Sequence, residues 1–264
     1  MPVVAGPAAA QAAGPPESEL GPAGLRRSTC MTPSASSLQP PPLTRLGWEA
    51  LSGLEVARLA AQSHRLARAP RGDAPVIVLP GFGADDLSTV PLRSFLRRLG
   101  HEVEGWTLGR NGGNVQALLP RVAERVRILS ERRAERVHLI GQSLGGVLAR
   151  ELARDEPARV AQVITLGTPV VGGPTYTRVG FTYDPAQQAR IAATVSRRNR
   201  IPIGVPVTAV YSRRDGIVAW QACIDHDNPH VEHVEVSSSH FGMGIDPDVW
   251  LLSAKLLVER ARRR

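Results

Sequence analysis

Short, β-branched, largely apolar runs constrain this chain more than any other feature: Val76-Ile77-Val78-Leu79, Val137 to Ile140, Val160 to Leu166 and Val207 to Tyr211. Each is too short for a self-supporting helix and rich in valine and isoleucine, as expected of strands covered on both faces. His101 to Trp106 and Val231 to Val236 read as two further strands, giving about six. Between the runs lie longer stretches with apolar residues three and four apart. Asn114 to Ala134, with Val115, Leu118, Leu119, Val122, Val126 and Leu129, is the longest; Ser88 to Leu99, Leu144 to Arg154 and Pro247 to Arg260 are the others. This alternation predicts an α/β protein with a doubly wound, mostly parallel sheet.

Two regions depart from the alternation. Residues 1–42 are rich in Ala, Pro, Gly and Ser and cannot bury enough apolar surface to offset chain entropy, so they are expected to be disordered. Leu46 to Ala69 predicts a helix through Leu51, Leu54, Val56, Leu59 and Leu66, stopped by Pro70 and Gly72. The folded domain is therefore expected over residues 43–264. Between Leu166 and Val207 the pattern breaks, leaving Gly172-Gly173-Pro174 and a helix predicted over Pro185 to Val195. That is long for a plain connection, and residues 170–206 are expected to form a lid-like insertion.

The net charge of +8 is almost all arginine, since Lys255 is the sole lysine. The arginines sit on polar helix faces and in the tail, without a basic stripe interleaved with aromatics, so no nucleic-acid partner is expected. No apolar run approaches the roughly 20 residues of a membrane span, so stable membrane insertion is not expected either. Cys30 and Cys223 do not make a disulfide framework, and the Ala-rich start lacks a basic n-region. These features favour the cytoplasm.

The strand Val137 to Ile140 runs into Gly141-Gln142-Ser143-Leu144-Gly145, a G-x-S-x-G segment with a helical pattern behind it. Small residues two before and two after a serine let neighbouring backbone pass close to a sharp strand-to-helix turn. The hydroxyl is then exposed at a helix N-terminus. A serine hydroxyl needs a base near neutral pH, and the base needs an orienting carboxylate. In this arrangement the acid and then the histidine follow the serine along the chain. Asp215, just past Val207 to Tyr211 and before Gly216, fits the acid, with Asp225 and Asp227 as rivals. His240, after the last strand and before the closing helix, fits the base better than His226, His230 or His233. Backbone N–H donors for a developing oxyanion are expected from Leu144 and from the loop Pro80-Gly81-Phe82-Gly83, with Phe82 assigned and Gly83 as the alternative.

Together these segments resemble the α/β-hydrolase superfamily, in particular its bacterial lipase- and esterase-like serine hydrolases. The likeness lies in Gly141 to Arg150, in Val163 to Pro169 with its Thr-Pro turn, and in the Ser-Arg-Arg-Asp-Gly and Ser-His-Phe-Gly loops. It covers about Val76 to Arg260. The chain differs from many members in having Pro80 before Gly81, Gln142 before the serine and Val170 after Thr-Pro. The resemblance implies that the sheet lacks the first two strands of the full fold or replaces them with the Leu46–Ala69 helix.

The resemblance implies an acyl-enzyme on Ser143, a small acyl-ester substrate and no cofactor. An acyltransferase with the same triad and a non-catalytic binding protein are the alternatives. Asp225, His226, Asp227, His230 and His233 lack a standard zinc spacing, and no metal is expected. Gly109 to Asn114 is either a rim loop of the site or the cap of the following helix. Trp220, Phe82 and Phe241 are candidates for an acyl pocket.

Overall fold

The computed structural model describes residues 26–27, 38–50, 52–228 and 230–261. Its main elements run β1 (Arg26–Arg27), α1 (Leu46–Ala50), α2 (Gly53–Ala61), α3 (Ser63–Ala67), β2 (Pro75–Leu79), α4 (Asp86–Arg98), β3 (Glu102–Gly105), α5 (Val115–Arg133), β4 (Val137–Gln142), α6 (Leu144–Asp155), β5 (Val160–Leu166), α7 (Pro185–Asn199), β6 (Val207–Ser212), β7 (Glu232–Val236) and α8 (Pro247–Ala261). The strands form one sheet in the order β1-β7-β6-β5-β4-β2-β3. The six strands β2 to β7 are parallel, as the alternation requires, and two-residue β1 pairs antiparallel with β7. Except for residues 26–27 and 38–42, the segment expected to be disordered lies outside the described residues.

Period-two burial sorts each central strand between two cores. Val76 and Val78 of β2 pack with Leu92, Phe95 and Leu96 of α4 and with Val249, Trp250 and Leu257 of α8. Phe95 and Trp250 stack at 5.0 Å between ring centroids. Ile77 and Leu79 face the other way, onto Leu118, Val122, Val126 and Leu129 of α5 and Leu148 and Leu152 of α6. Helices thus cover both faces. From β2 the chain steps outward to β3, then returns to place β4 on β2's other side. Such a reversal opens a crevice beyond the carboxyl ends of β2 and β4, where open α/β sheets take ligands. No helix among the described residues is long and apolar enough to cross a membrane.

The expected Leu46–Ala69 helix is three short helices, and its buried face differs from the one its leucines suggest. Leu54 and Val56 are 59% and 58% exposed, while Glu55 between them is buried. Ion pairs choose the face: Arg58 meets Glu55 and reaches Asp246 and Asp248 beside the start of α8. Burial outweighs the Arg58 charge and pushes the Glu55 carboxyl above its ordinary range. Leu59 and Leu66 pack against the core cluster, and Leu51 lies outside the described residues.

In the region expected to be lid-like, two 3₁₀ turns precede α7, which runs four residues beyond the predicted end at Val195. An Asp184–Gln187 capping box starts α7. Its carboxyl end is held to α6: Arg198 pairs with Glu151 and Asp155, and Arg154 bonds Asn199 and the Ile201 carbonyl.

Candidate active site

Ser143 interrupts the passage from β4 to α6 with φ +51° and ψ −119°. A non-glycine residue in this region is strained by roughly 1–3 kcal/mol and persists only where its surroundings fix it. Here the Ser143 N–H donates to the Leu166 carbonyl at 2.8 Å, and its own carbonyl accepts from Gly146 N–H and the Thr168 hydroxyl. The glycines of the motif are required by contact. A Cβ on Gly141 would lie 2.5 Å from the Gly145 carbonyl carbon, and one on Gly145 would collide with the Leu79 carbonyl oxygen of β2. Both obstacles are backbone, so Gly145→Ala should destabilise the protein by about 1–3 kcal/mol, read as a lower midpoint in urea unfolding. An unchanged midpoint would contradict this packing.

Asp215 stands in the loop after β6. Its Oδ1 accepts from the N–H groups of Ile217 and Val218, at 2.8 and 2.7 Å. Its Oδ2 is 2.7 Å from Nδ1 of His240, which follows β7, and both side chains are buried. A carboxylate only accepts, so this contact puts the proton on Nδ1 and leaves the Nε2 lone pair free for another donor. Burial disfavours the imidazolium. The charge and hydrogen bond of Asp215, with the charge of Glu49, outweigh burial and hold His240 above the ordinary value of 6.5.

The serine and the pair converge on the carboxyl end of β5. Leu166 there receives the Ser143 N–H, and next to it Gly167, at φ +58°, lies against the pair. A Cβ on Gly167 would sit 2.9 Å from His240 Nδ1 and 3.1 Å from Asp215 Oδ2. Gln142, beside the serine, donates to the His240 carbonyl at 3.0 Å, tying the turn to the histidine loop.

The loop after β2 passes close to the serine: a Cβ on Gly81 would lie 3.4 Å from that of Ser143. Gly83 spends its N–H on the Asn111 carbonyl at 2.8 Å, whereas the Phe82 N–H donates to no described residue. Of the two donors expected from this loop, Phe82 is therefore the available one. Buried Asn111 also bonds the Pro80 carbonyl through Nδ2 and receives Gly113 N–H on Oδ1. Asn114 caps α5 by accepting from Ala117. The 109–114 segment thus caps a helix and also braces the loop beside the serine. Gly113, at φ +90°, brings that segment against the Phe82 ring and the Tyr183 hydroxyl.

Two of the rivals, Asp225 and His233, are engaged elsewhere. Asp225 forms a buried ion pair with Arg150 of α6 and accepts from Asp227 N–H, Asn228 N–H and Asn228 Nδ2. His233 accepts the Asp225 N–H through Nε2. Among the described residues, no three His, Cys, Asp or Glu side chains gather as metal ligands would. Trp220 stacks on Tyr211 beneath Arg213, whereas Phe241 meets the His240 ring edge-on and is largely exposed. Cys223 is a free, buried thiol, and Cys30 lies outside the described residues. Glu49 is the site residue that sequence reading missed, and no sequence signal marks it. Asn111 and Gln142 lie in segments the sequence singles out, the 109–114 stretch and the G-x-S-x-G turn, but their hydrogen-bond roles emerge only in the structure.

The fold agrees with comparisons to known proteins. A family model described as the α/β hydrolase fold matches residues 118–204, which include Ser143 but stop short of Asp215 and His240. The structure reported for the metagenome-derived lipolytic enzymes LipS and LipT is similar, with a TM-score of 0.57 at 16% identity over 74% of this chain and 96% of that one. Aspergillus fumigatus lipase B gives 0.54 at 17% identity over 71% of this chain and 53% of that one. Paleococcus ferrophilus monoacylglycerol lipase gives 0.52 at 15% identity, over 71% and 96%. These likenesses make the chain an α/β-hydrolase-fold protein. In sequence, RutD of Variovorax paradoxus (strain S110), named as a carbamate hydrolase, is 31% identical over 107 residues. That match spans 38% of this chain and 40% of the relative's length.

Proposed function

We propose that this protein is a serine hydrolase that cleaves carboxylic esters through an acyl-enzyme on Ser143. The observation that carries the reading is the Asp215–His240 contact at 2.7 Å, packed against the strand end that also holds the strained Ser143. His240 Nε2 takes the hydroxyl proton as Ser143 Oγ attacks the acyl carbonyl. The tetrahedral oxyanion lies against the N–H groups of Phe82 and Leu144. The proton passes from His240 to the departing alkoxide, and water activated by the same imidazole releases the acid. Asp215 keeps the tautomer and stabilises the imidazolium. The exposed rings of Phe82 and Phe241 suit an apolar acyl group at the rim.

The test is covalent labelling with a small fluorophosphonate, with the adduct located by mass spectrometry. Attack requires neutral His240, whose pKa is raised, so the labelling rate should climb with pH through a midpoint above 6.5. Folded protein carrying no adduct on Ser143 would remove the reading. A panel of aryl esters and aryl carbamates then tests the substrate class, and turnover confined to carbamates would refute ester cleavage. Ester products formed in preference to free acid, with added alcohols, would redirect it to acyl transfer.

A further inference from the structure

The helices α1 to α3 precede β2 in the chain, and one of their side chains reaches both loops that carry the buried pair. Glu49 of α1 accepts three backbone N–H groups. Its Oε1 takes Gly216 and His240, each at 2.9 Å, and its Oε2 takes Phe241 at 3.0 Å. Gly216 directly follows Asp215, and the second donor is the amide of His240 itself. A single carboxylate therefore fixes the separation of the acid loop and the histidine loop.

Neighbouring contacts hold that carboxylate in place. Ser52 and Ser239 share a hydrogen bond of 3.0 Å between their hydroxyls, and Arg45 donates to the Arg213 carbonyl at 3.0 Å. Packing is close enough that a Cβ on Gly216 would lie 2.6 Å from the Arg45 carbonyl oxygen.

We propose that Glu49 is a positioning residue for the reaction at Ser143: it aligns Asp215 with His240 by bridging their loops, and its charge favours the imidazolium formed as the serine attacks. The proposal rests on the hydrolase reading. Hydrogen bonds to an ionised acceptor are about twice as strong as neutral ones, and misplacing a reacting group by about 1 Å costs on the order of 10²-fold in rate. Asp215 and Glu49 are the charged groups that act on His240, and Glu49 is the only one of the two outside the acid loop.

The experiment compares Glu49→Ala and Glu49→Gln with wild type. Glu49→Ala should lower kcat by about 10²-fold with KM within about threefold, the pattern of a lost transition-state contribution. Glu49→Gln keeps the shape and can still accept two of the N–H groups, so it guards against simple unfolding. It should lose about tenfold in kcat and move the pH midpoint of kcat/KM to lower values, because a charge favouring imidazolium is gone. A merely structural strap contact would change thermal stability and leave that midpoint where it was. Unchanged kcat and midpoint in both variants would overturn the proposal. Amide hydrogen exchange separates this failure from failure of the hydrolase reading. If wild type does not label at Ser143, faster exchange at Gly216, His240 and Phe241 in folded Glu49→Gln still supports the bridge, and unchanged exchange sinks it.

Discussion

Under the proposed mechanism Ser143→Ala should lower kcat by about 10⁶-fold on an activated ester while the protein stays folded, because the Asp215–His240 pair would then have no nucleophile to activate. Some acceleration over water should persist, since the Phe82 and Leu144 N–H groups remain. Ser143→Gly is expected to be equally inactive yet to unfold later than Ser143→Ala. Alanine inherits the strained φ of +51°, whereas glycine adopts it without a Cβ penalty. Turnover assays and thermal melts on the two variants check both halves. Residual turnover within tenfold of wild type would show that Ser143 is not the nucleophile. A glycine variant melting below the alanine one would show that the turn is not strained.

Arg150→Ala should cost about 3–5 kcal/mol of stability, because it leaves Asp225 charged and buried without its cation. For a domain this size that is roughly a 10 °C fall in Tm. Burial opposes the Asp225 carboxylate, but the Arg150 charge and the Asn228 bonds outweigh it and hold the group below its ordinary value. A depressed acid stabilises the fold above its unfolded pKa of about 3.9, and that contribution is lost as pH falls through the lower folded value. The gap between wild type and Arg150→Ala should therefore close on acidification. Arg150→Met combined with Asp225→Leu should recover most of the loss, since a buried pair replaced by apolar groups is often neutral. Melts across pH decide this, and an Arg150→Ala protein as stable as wild type at neutral pH would contradict the burial of the pair.

Asp215 and Asp225 show where sequence reading reaches and where it stops. Both are loop aspartates between β6 and β7. Position directly after a strand favours Asp215, and the structure brings that residue, not Asp225, to His240. That Asp225 pairs with Arg150 of α6 is a tertiary fact without periodic trace. The strands were legible because period two and apolar runs are local. The α2 face was not, because Leu54 and Val56 obey helical spacing while the partners of Arg58, Asp246 and Asp248, lie near the other end of the chain. Phe82 could be assigned over Gly83 from the sequence only by analogy; the reason, that Gly83 is spent on Asn111, appears only when the two loops meet.

The Glu49 bridge also bears on the order of folding. Its three bonds join residues 167, 191 and 192 positions apart, whereas the sheet can begin from the nearer strands β2 to β5. Loop-closure entropy must be met before such remote contacts form, which makes them late events. Native-like secondary structure will thus precede a competent site, and recovered activity after refolding reports that the two ends of the chain have docked, something circular dichroism of the sheet does not reveal.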